Sequence, residues 1–508
     1  MRLHRAVALA AIAAIGVTTQ VLAKPAPHPA PPSNVTRALP AATPVADAFA
    51  GTNDDYEPAV AIAGDGTRWI VANVTHTAVV DTTTTPPSSQ KGPDARELEL
   101  LSGTDVWRST DGGRSFTWVT GLFTTDGTAP GLGGQDSDIA VAPQRNPATG
   151  RFNLYVVSNW IGSTSVAISS DGGASWQTMP LGGTEPLTDR PYVTADGPCT
   201  FYLTYHSFQA ASVAVDRYDG CGGESDLVPG QPLDPTSSVH PELDAVALVN
   251  RIGKPVADSA SHALYLPMLQ CDSTSPSAHA ADATSSTGCG GRGEVVVSVS
   301  RDGGSSFVLR HVAYIADGRV PTWGVSAAVG RHGRVFVGWS DDVHAYLASS
   351  ANGGATWSTP VRMDQAQTRA VLPALATNPA GDLVAGWYQA DATSWPNRGV
   401  DPATHLPVDA NAAPTSAVWR FTIAESPDAG GARVQILPAV VHRGPVCTYG
   451  TACSGDTRAL YDNAGVAVGA DGTVTAAYMS DQPASTIGAD HVVYSTVYSA
   501  EYRVKSAR

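Results

Sequence analysis

The sequence predicts an all-β propeller of four-stranded blades, seven of them, or six if one repeat unit has been divided in two. Three observations predict it. A short turn motif recurs four times, a longer strand–turn–strand unit recurs seven times, and short β-branched runs end in turn signals throughout.

The turn motif reads Ser109-Thr110-Asp111-Gly112-Gly113-Arg114-Ser115-Phe116, then Ser169-Ser170-Asp171-Gly172-Gly173-Ala174-Ser175-Trp176. It returns as Ser300-Arg301-Asp302-Gly303-Gly304-Ser305-Ser306-Phe307 and as Ser350-Ala351-Asn352-Gly353-Gly354-Ala355-Thr356-Trp357. The common form is S-x-[DN]-G-G-x-[ST]-[FW]. Asp or Asn before two glycines is hairpin chemistry, because glycine takes positive φ without steric cost. The acid can accept hydrogen bonds from the turn's own amides. The closing aromatic can pack between neighbouring sheets, worth roughly 2–3 kcal/mol when buried. Apolar runs such as Val166–Ile168 and Val295–Val299 lead into two of the copies.

The longer unit is a polar start, an apolar strand, a glycine turn and a second apolar strand. It appears as Glu57–Ile62 with Trp69–Val71, Asp138–Val141 with Leu154–Val157, and Arg190–Val193 with Phe201–Tyr205. Later copies start near Glu242, Val320, Val371 and Ala464. The third carries a degraded turn motif, Asp216–Cys221.

This turn motif resembles the Asp-box, or bacterial neuraminidase repeat, of the sialidase superfamily. The resemblance implies a sialidase-like propeller in which the boxes lie away from the active site. Asp111, Asp171 and Asp302 are therefore structural in this reading.

The chain start sets the compartment. A basic Met1–Arg5, an apolar Ala6–Val17 and the small-residue exit Val21-Leu22-Ala23 have the grammar of a secretory signal peptide, residues 1–23, cleaved after Ala23. The apolar run is too short to span a bilayer. Residues 24–45 read as a proline-rich linker and 46–508 as a single propeller domain. Six cysteines fit an oxidising compartment, and their spacing suggests Cys199–Cys221, Cys271–Cys289 and Cys447–Cys453 pairs. The net charge of −15 carries no basic footprint for nucleic acid and opposes acidic membrane surfaces. The expected form is a secreted monomer without membrane insertion.

In a propeller, the loops entering each inner strand line one rim of the central channel, and loops carry function. Here they are polar: Asn53–Glu57, Gln135–Asp138, Thr188–Arg190, His240–Asp244, Arg319–Trp323, Thr368–Pro373, and Asp456–Arg458 with Tyr461–Asn463. Carboxylates, arginines and tyrosines converging there suit glycoside chemistry, in which one carboxylic acid protonates a leaving oxygen and a second group supports attack. Arginines can clamp a sugar carboxylate bidentately. The resemblance implies a tyrosine nucleophile helped by a glutamate, which Tyr56 and Glu57 would supply, with Asp54 or Asp136 as acid/base. Arg190, Arg319 and Arg369 would hold a negative group, and Asp189, Glu242 and Tyr461 complete the substrate-binding set. The family's R-I-P motif on the first blade is absent, since Tyr56-Glu57-Pro58 stands at that phase and Arg319-Val320-Pro321 lies in the fifth unit. No cofactor and no metal loop is expected. Two insertions, 77–103 and 392–416, fall on the same rim and could wall a cleft.

The reading is a secreted, sialidase-like glycoside hydrolase (exo-α-sialidase-like) acting on an extracellular glycan or glycoconjugate. The alternatives are a non-catalytic glycan- or protein-binding propeller, and a polysaccharide lyase or endo-hydrolase on the same fold.

Overall fold

The computed structural model describes residues 34–38, 55–77, 100–122, 135–160, 163–181, 188–207, 212–221, 233–241, 251–272, 292–316, 320–321, 324–364, 369–390, 417–425, 433–448, 460, 463–481 and 496–503. It forms seven antiparallel four-stranded sheets, each in simple meander order. A 3-10 turn at Arg331–Gly333 interrupts the β structure. Among the described residues no helix is long and apolar enough to cross a membrane.

Blade 1 is β2 (Asp55–Ile62), β3 (Arg68–Thr77), β4 (Leu100–Ser109) and β5 (Thr117–Leu122). Blade 2 is β6 (Gln135–Arg145), β7 (Phe152–Trp160), β8 (Ser163–Ser169) and β9 (Gln177–Pro180). Blade 3 is β10 (Thr188–Asp196), β11 (Thr200–Ser207), β12 (Ser212–Asp219) and β13 (Ser237–Val239). Blade 4 is β14 (Val256–Asp258), β15 (Ala263–Cys271), β16 (Gly293–Ser300) and β17 (Val308–Ile315). Blade 5 is β18 (Val325–Val329), β19 (Val335–Ser340), β20 (Ala345–Ser350) and β21 (Val361–Arg362). Blade 6 is β22 (Arg369–Thr377), β23 (Leu383–Ala390), β24 (Val418–Glu425) and β25 (Arg433–Arg443). Blade 7 is β26 (Gly465–Val468), β27 (Thr473–Ser480), β28 (Thr496–Arg503) and, on its outer edge, β1 (Asn34–Ala38).

The seventh blade is thus built from both ends of the chain, and this closes the ring. β1 falls inside the segment expected as linker: Asn34, Arg37 and Ala38 pair with Glu501, Ser499 and Tyr498. The segment Asn34–Ala38 can supply a ladder because it follows the last proline of the run, Pro32.

The core lies between blades. Seven apolar clusters each join two neighbouring sheets, and the largest, around Trp419, Phe421 and Tyr478, joins blades 6 and 7. Aromatic rings cross these seams: Tyr155–Phe201 at 4.6 Å, Phe421–Tyr478 at 4.8 Å and Trp69–Trp176 at 6.3 Å. The seam between blades 7 and 1 also holds a buried Arg68–Glu501 ion pair at 3.7 Å, with Arg68 Nε donating to Thr475 Oγ1.

All four copies of the turn motif join the third and fourth strands of their blades. In the first, the Ser109 hydroxyl donates to Asp111 and accepts from Gly113 N, while Ser115 N donates to Asp111 Oδ1 at 2.9 Å. The same bonds recur around Asp171, Asp302 and Asn352. Burial works to raise the Asp111 carboxyl, but hydrogen bonds from Ser115 and Ser109 outweigh it and hold the pKa at about 2. The second glycine is required at Gly173 (φ +84), where a Cβ would lie 2.2 Å from the Trp69 ring of the preceding blade. Cys199, in the first turn of blade 3, and Cys221, after its third strand, form a disulfide on this same face. Cys271 and Cys447 are also disulfide-bonded; the partners expected for them, Cys289 and Cys453, lie outside the described residues.

Candidate functional site

Each inner strand enters the channel through a break in register. In blades 1, 2, 3 and 6 two residues are inserted opposite one: Glu57-Pro58, Asp136-Ser137, Arg190-Pro191 and Leu372-Pro373. The first residue of each insertion is left-handed: Glu57 at φ 54, Asp136 at 46, Arg190 at 54 and Leu372 at 54. Bulges re-aim side chains, and left-handed non-glycine residues cost about 1–3 kcal/mol each. The strand registers place Ile252, Gly324 and Asn463 at the same position in blades 4, 5 and 7. Two residues further on lies a second layer, Ala59, Asp138, Tyr192, Lys254, Ser326, Ala374 and Gly465, one from each blade. All seven of the second layer line one axial cavity of ≈ 110 Å³.

The first layer is polar on blades 7, 1, 2 and 3. Arg190, fully buried, sets its Nε 3.6 Å from Asp136 Oδ1. Its Nη1 reaches Asn463 Oδ1 across the channel at 3.3 Å and Tyr192 Oη at 3.5 Å. Asp189 accepts from Arg190 N and so holds the bulge that presents the guanidinium. Glu57 is buried, and its Oε2 accepts from Asn73 Nδ2 at 2.9 Å. The other end of that amide, Asn73 Oδ1, accepts from Ser137 N, so one side chain couples the bulges of blades 1 and 2.

In the second layer Lys254 Nζ donates to Asp138 Oδ1 at 2.8 Å and to Ile139 O at 2.6 Å. Val193 N donates to Asp138 Oδ2. Burial dominates and pushes the Asp138 carboxyl up, against the pull of Lys254. Burial likewise pushes the Tyr192 hydroxyl up to about 12, opposed by Arg190.

Of the expected site residues, Glu57, Asp136, Arg190 and Asp189 meet at this rim. Tyr56 lies in β2 beside Glu57 and pairs with Asn73 through the backbone. Asp54, Glu242, Arg319 and Tyr461 lie outside the described residues, as do most of the two insertions. Arg369 is placed elsewhere: it starts β22, three residues before the bulge, and its guanidinium is buried against Asp342 and Val446 O. Asp342, left-handed at φ 67, also accepts from Thr448, so the group stitches blade 5 to the segment after β25. The fourth unit begins later than the His240–Asp244 segment expected to open it. Its inner strand is Val256–Asp258, and Ile252 already bridges Met268. Sequence reasoning missed Lys254 for that reason; the signal for it was Gly253-Lys254-Pro255 standing just before a short strand and its turn. Among the described residues no group of His, Cys, Asp and Glu is placed to hold a metal ion.

No family model matches the chain, and no curated protein matches its sequence. Among solved structures it is similar to an α-L-arabinofuranosidase of Fusarium graminearum, at 13% identity over 67% of this chain and 89% of that one, with a TM-score of 0.41. A Hadza microbial sialidase is similar at 13% identity over 89% of this chain and 66% of that one, TM-score 0.40. An α-L-arabinanase of Penicillium chrysogenum is similar at 10% identity over 93% and 98%, TM-score 0.40. At these identities and TM-scores the likeness assigns neither a residue nor a substrate to this chain.

Proposed function

We propose that the protein is a secreted glycoside hydrolase of sialidase-like type, acting on extracellular glycans at the mouth of the axial channel. The observation that carries this is the set of charged residues Glu57, Asp136 and Arg190 at one repeat position, in a backbone conformation that glycine would adopt at no cost. Strain kept at the same phase on three consecutive blades, with chemically different side chains, is the pattern of a working site.

In this mechanism Tyr56 attacks the anomeric carbon, and Glu57, held by Asn73, takes its proton. Asp136 or Asp54 protonates the leaving oxygen and then activates water. Arg190 and Arg319 bind a negative group on the sugar; Arg369 is left out because its donors are spent on Asp342 and Val446. Arg190 is pre-organised by Asp136 and Asn463, which lowers the ordering cost of binding.

A second reading, a glycan-binding propeller without turnover, is favoured by one observation. Lys254 and Asp138 close a salt bridge across the channel just below the first layer. Hydrolysis of a fluorogenic sialic acid glycoside, beside neutral and uronic glycosides, separates the two. Release from any member of the panel supports the enzyme, and release from the sialoside supports the anion clamp. Silence across the panel from folded protein, with glycan retained on an affinity matrix, favours the binding module.

A further inference from the structure

The second layer divides sharply by chemistry. Blades 2, 3 and 4 contribute Asp138, Tyr192 and Lys254, while blades 5, 6, 7 and 1 contribute Ser326, Ala374, Gly465 and Ala59. The cavity is therefore polar on one wall and open on the other, where the side chains are small. A water needs about 10–15 Å³ of such space. The ≈ 110 Å³ present takes several waters or a short run of linked C–OH groups.

Its charges are compensated in place. Lys254 is paired with Asp138 at 2.8 Å, and Arg190 above it faces Asp136 at 3.6 Å. A bare anion entering this layer would meet Asp138 as well as Lys254, and a bare cation would meet the reverse. What remains on offer is hydrogen bonding of both kinds. An ammonium has three donors, and Asp138 and Ile139 O take two of those on Lys254, whose side chain is 35% exposed. The Tyr192 hydroxyl, the Asn463 amide and the Ser326 hydroxyl add donors and acceptors around the same space.

We infer that this layer is a binding site for neutral vicinal hydroxyls of a sugar, with Lys254 and Tyr192 as the recognising residues and the small wall of blades 5 to 1 as the space that admits them. This rests on the proposed glycan-directed function for its ligand class, and it assigns charge recognition to the first layer and hydroxyl recognition to the second. The Lys254–Asp138 pair then acts as a fixed two-faced template rather than as a plug.

The test is binding, not turnover. Isothermal titration of the full secreted protein with free N-acetylneuraminate, galactose and arabinose, and with acetate as a small anion, reads the site directly. Two variants are compared: Lys254→Met, which removes the donors, and Ala374→Leu, which fills the small wall and leaves the ion pair intact. The inference predicts that at least one of the sugars binds, that each variant weakens it tenfold or more, and that acetate does not displace galactose or arabinose, which carry no carboxylate for the first layer to hold. It also predicts little change in sugar affinity contributed by this layer between low and high salt, since screening acts on charge. Unchanged affinity in Ala374→Leu overturns the inference, even if Lys254→Met fails to fold. Displacement of galactose or arabinose by acetate, or no sugar bound by the wild type, overturns it equally. Hydrolysis of the glycoside panel is scored separately, so an active enzyme with unaltered Ala374→Leu binding would retain the proposed function and lose only this layer.

Discussion

The two faces of the propeller use repetition in opposite ways. On the turn-motif face, backbone and side chains repeat together: Asp111, Asp171, Asp302 and Asn352 accept the same bonds, and glycines carry every positive φ within the motif. At the channel mouth only the backbone repeats. The same left-handed bulge presents Glu57, Asp136, Arg190 and Leu372. Where a fold repeats its backbone and its chemistry, the residues serve the fold. Where it keeps a costly backbone and varies the side chain, as from Glu57 to Leu372, the fold does not dictate the residue type, and the proposed site uses that freedom at Glu57, Asp136 and Arg190.

The largest expected effect breaks the comparison from the channel side. Glu57→Gln should lower hydrolysis by about 10²–10⁴-fold, the range for a lost general base, while leaving thermal unfolding nearly unchanged. Arg190→Met should raise KM for an anionic glycoside far more than for a neutral one, which steady-state kinetics on both substrates would show.

A middle-sized effect comes from the other face. Gly173→Ala should destabilise by about 2–4 kcal/mol in urea unfolding, because the new Cβ meets Trp69 and the backbone is left-handed. The folded fraction should keep its kinetic constants. Asp302→Ala should cost about 1–3 kcal/mol, since it removes the acceptor of three hydrogen bonds in an exposed turn, again without loss of activity.

The smallest effect is in pH. Hydrogen bonds depress the motif carboxyls, Asp111 to about 2 and Asp171 and Asp302 in the same direction. Their contribution is present above the ordinary Asp value near 4 and is lost as pH falls toward 2. Asp138 has the opposite sign. Its carboxyl is pushed up by burial, so its contribution is present below about 4 and is lost as pH rises through the folded value. Unfolding midpoints between pH 5 and pH 2 should fall for the wild type and fall less for Asp302→Asn.

The blade count and the turn motif were legible because both are periodic, and period survives without knowledge of contacts. The entry to the inner strand was legible where the unit had a clean start, as at Tyr56-Glu57-Pro58 and Asp189-Arg190-Pro191. It was illegible in the fourth unit, where Pro255 shortens the inner strand to Val256–Asp258 and hides the entry of Lys254. Arg369 looked like a member of the clamp because it shares the rim segment. Its partner Asp342 is 27 residues away, and nothing local announces that pair. β1 was hidden for a related reason, since a strand added from the far end of the chain has no neighbour in sequence to mark it.

The most direct test of the division between faces is a paired assay of Glu57→Gln and Asp302→Ala on whichever glycoside the wild type cleaves, with circular dichroism to confirm that both fold. The account predicts that Glu57→Gln is folded and inactive, and that Asp302→Ala is less stable and fully active. An active Glu57→Gln, or a well-folded Asp302→Ala without activity, would contradict it.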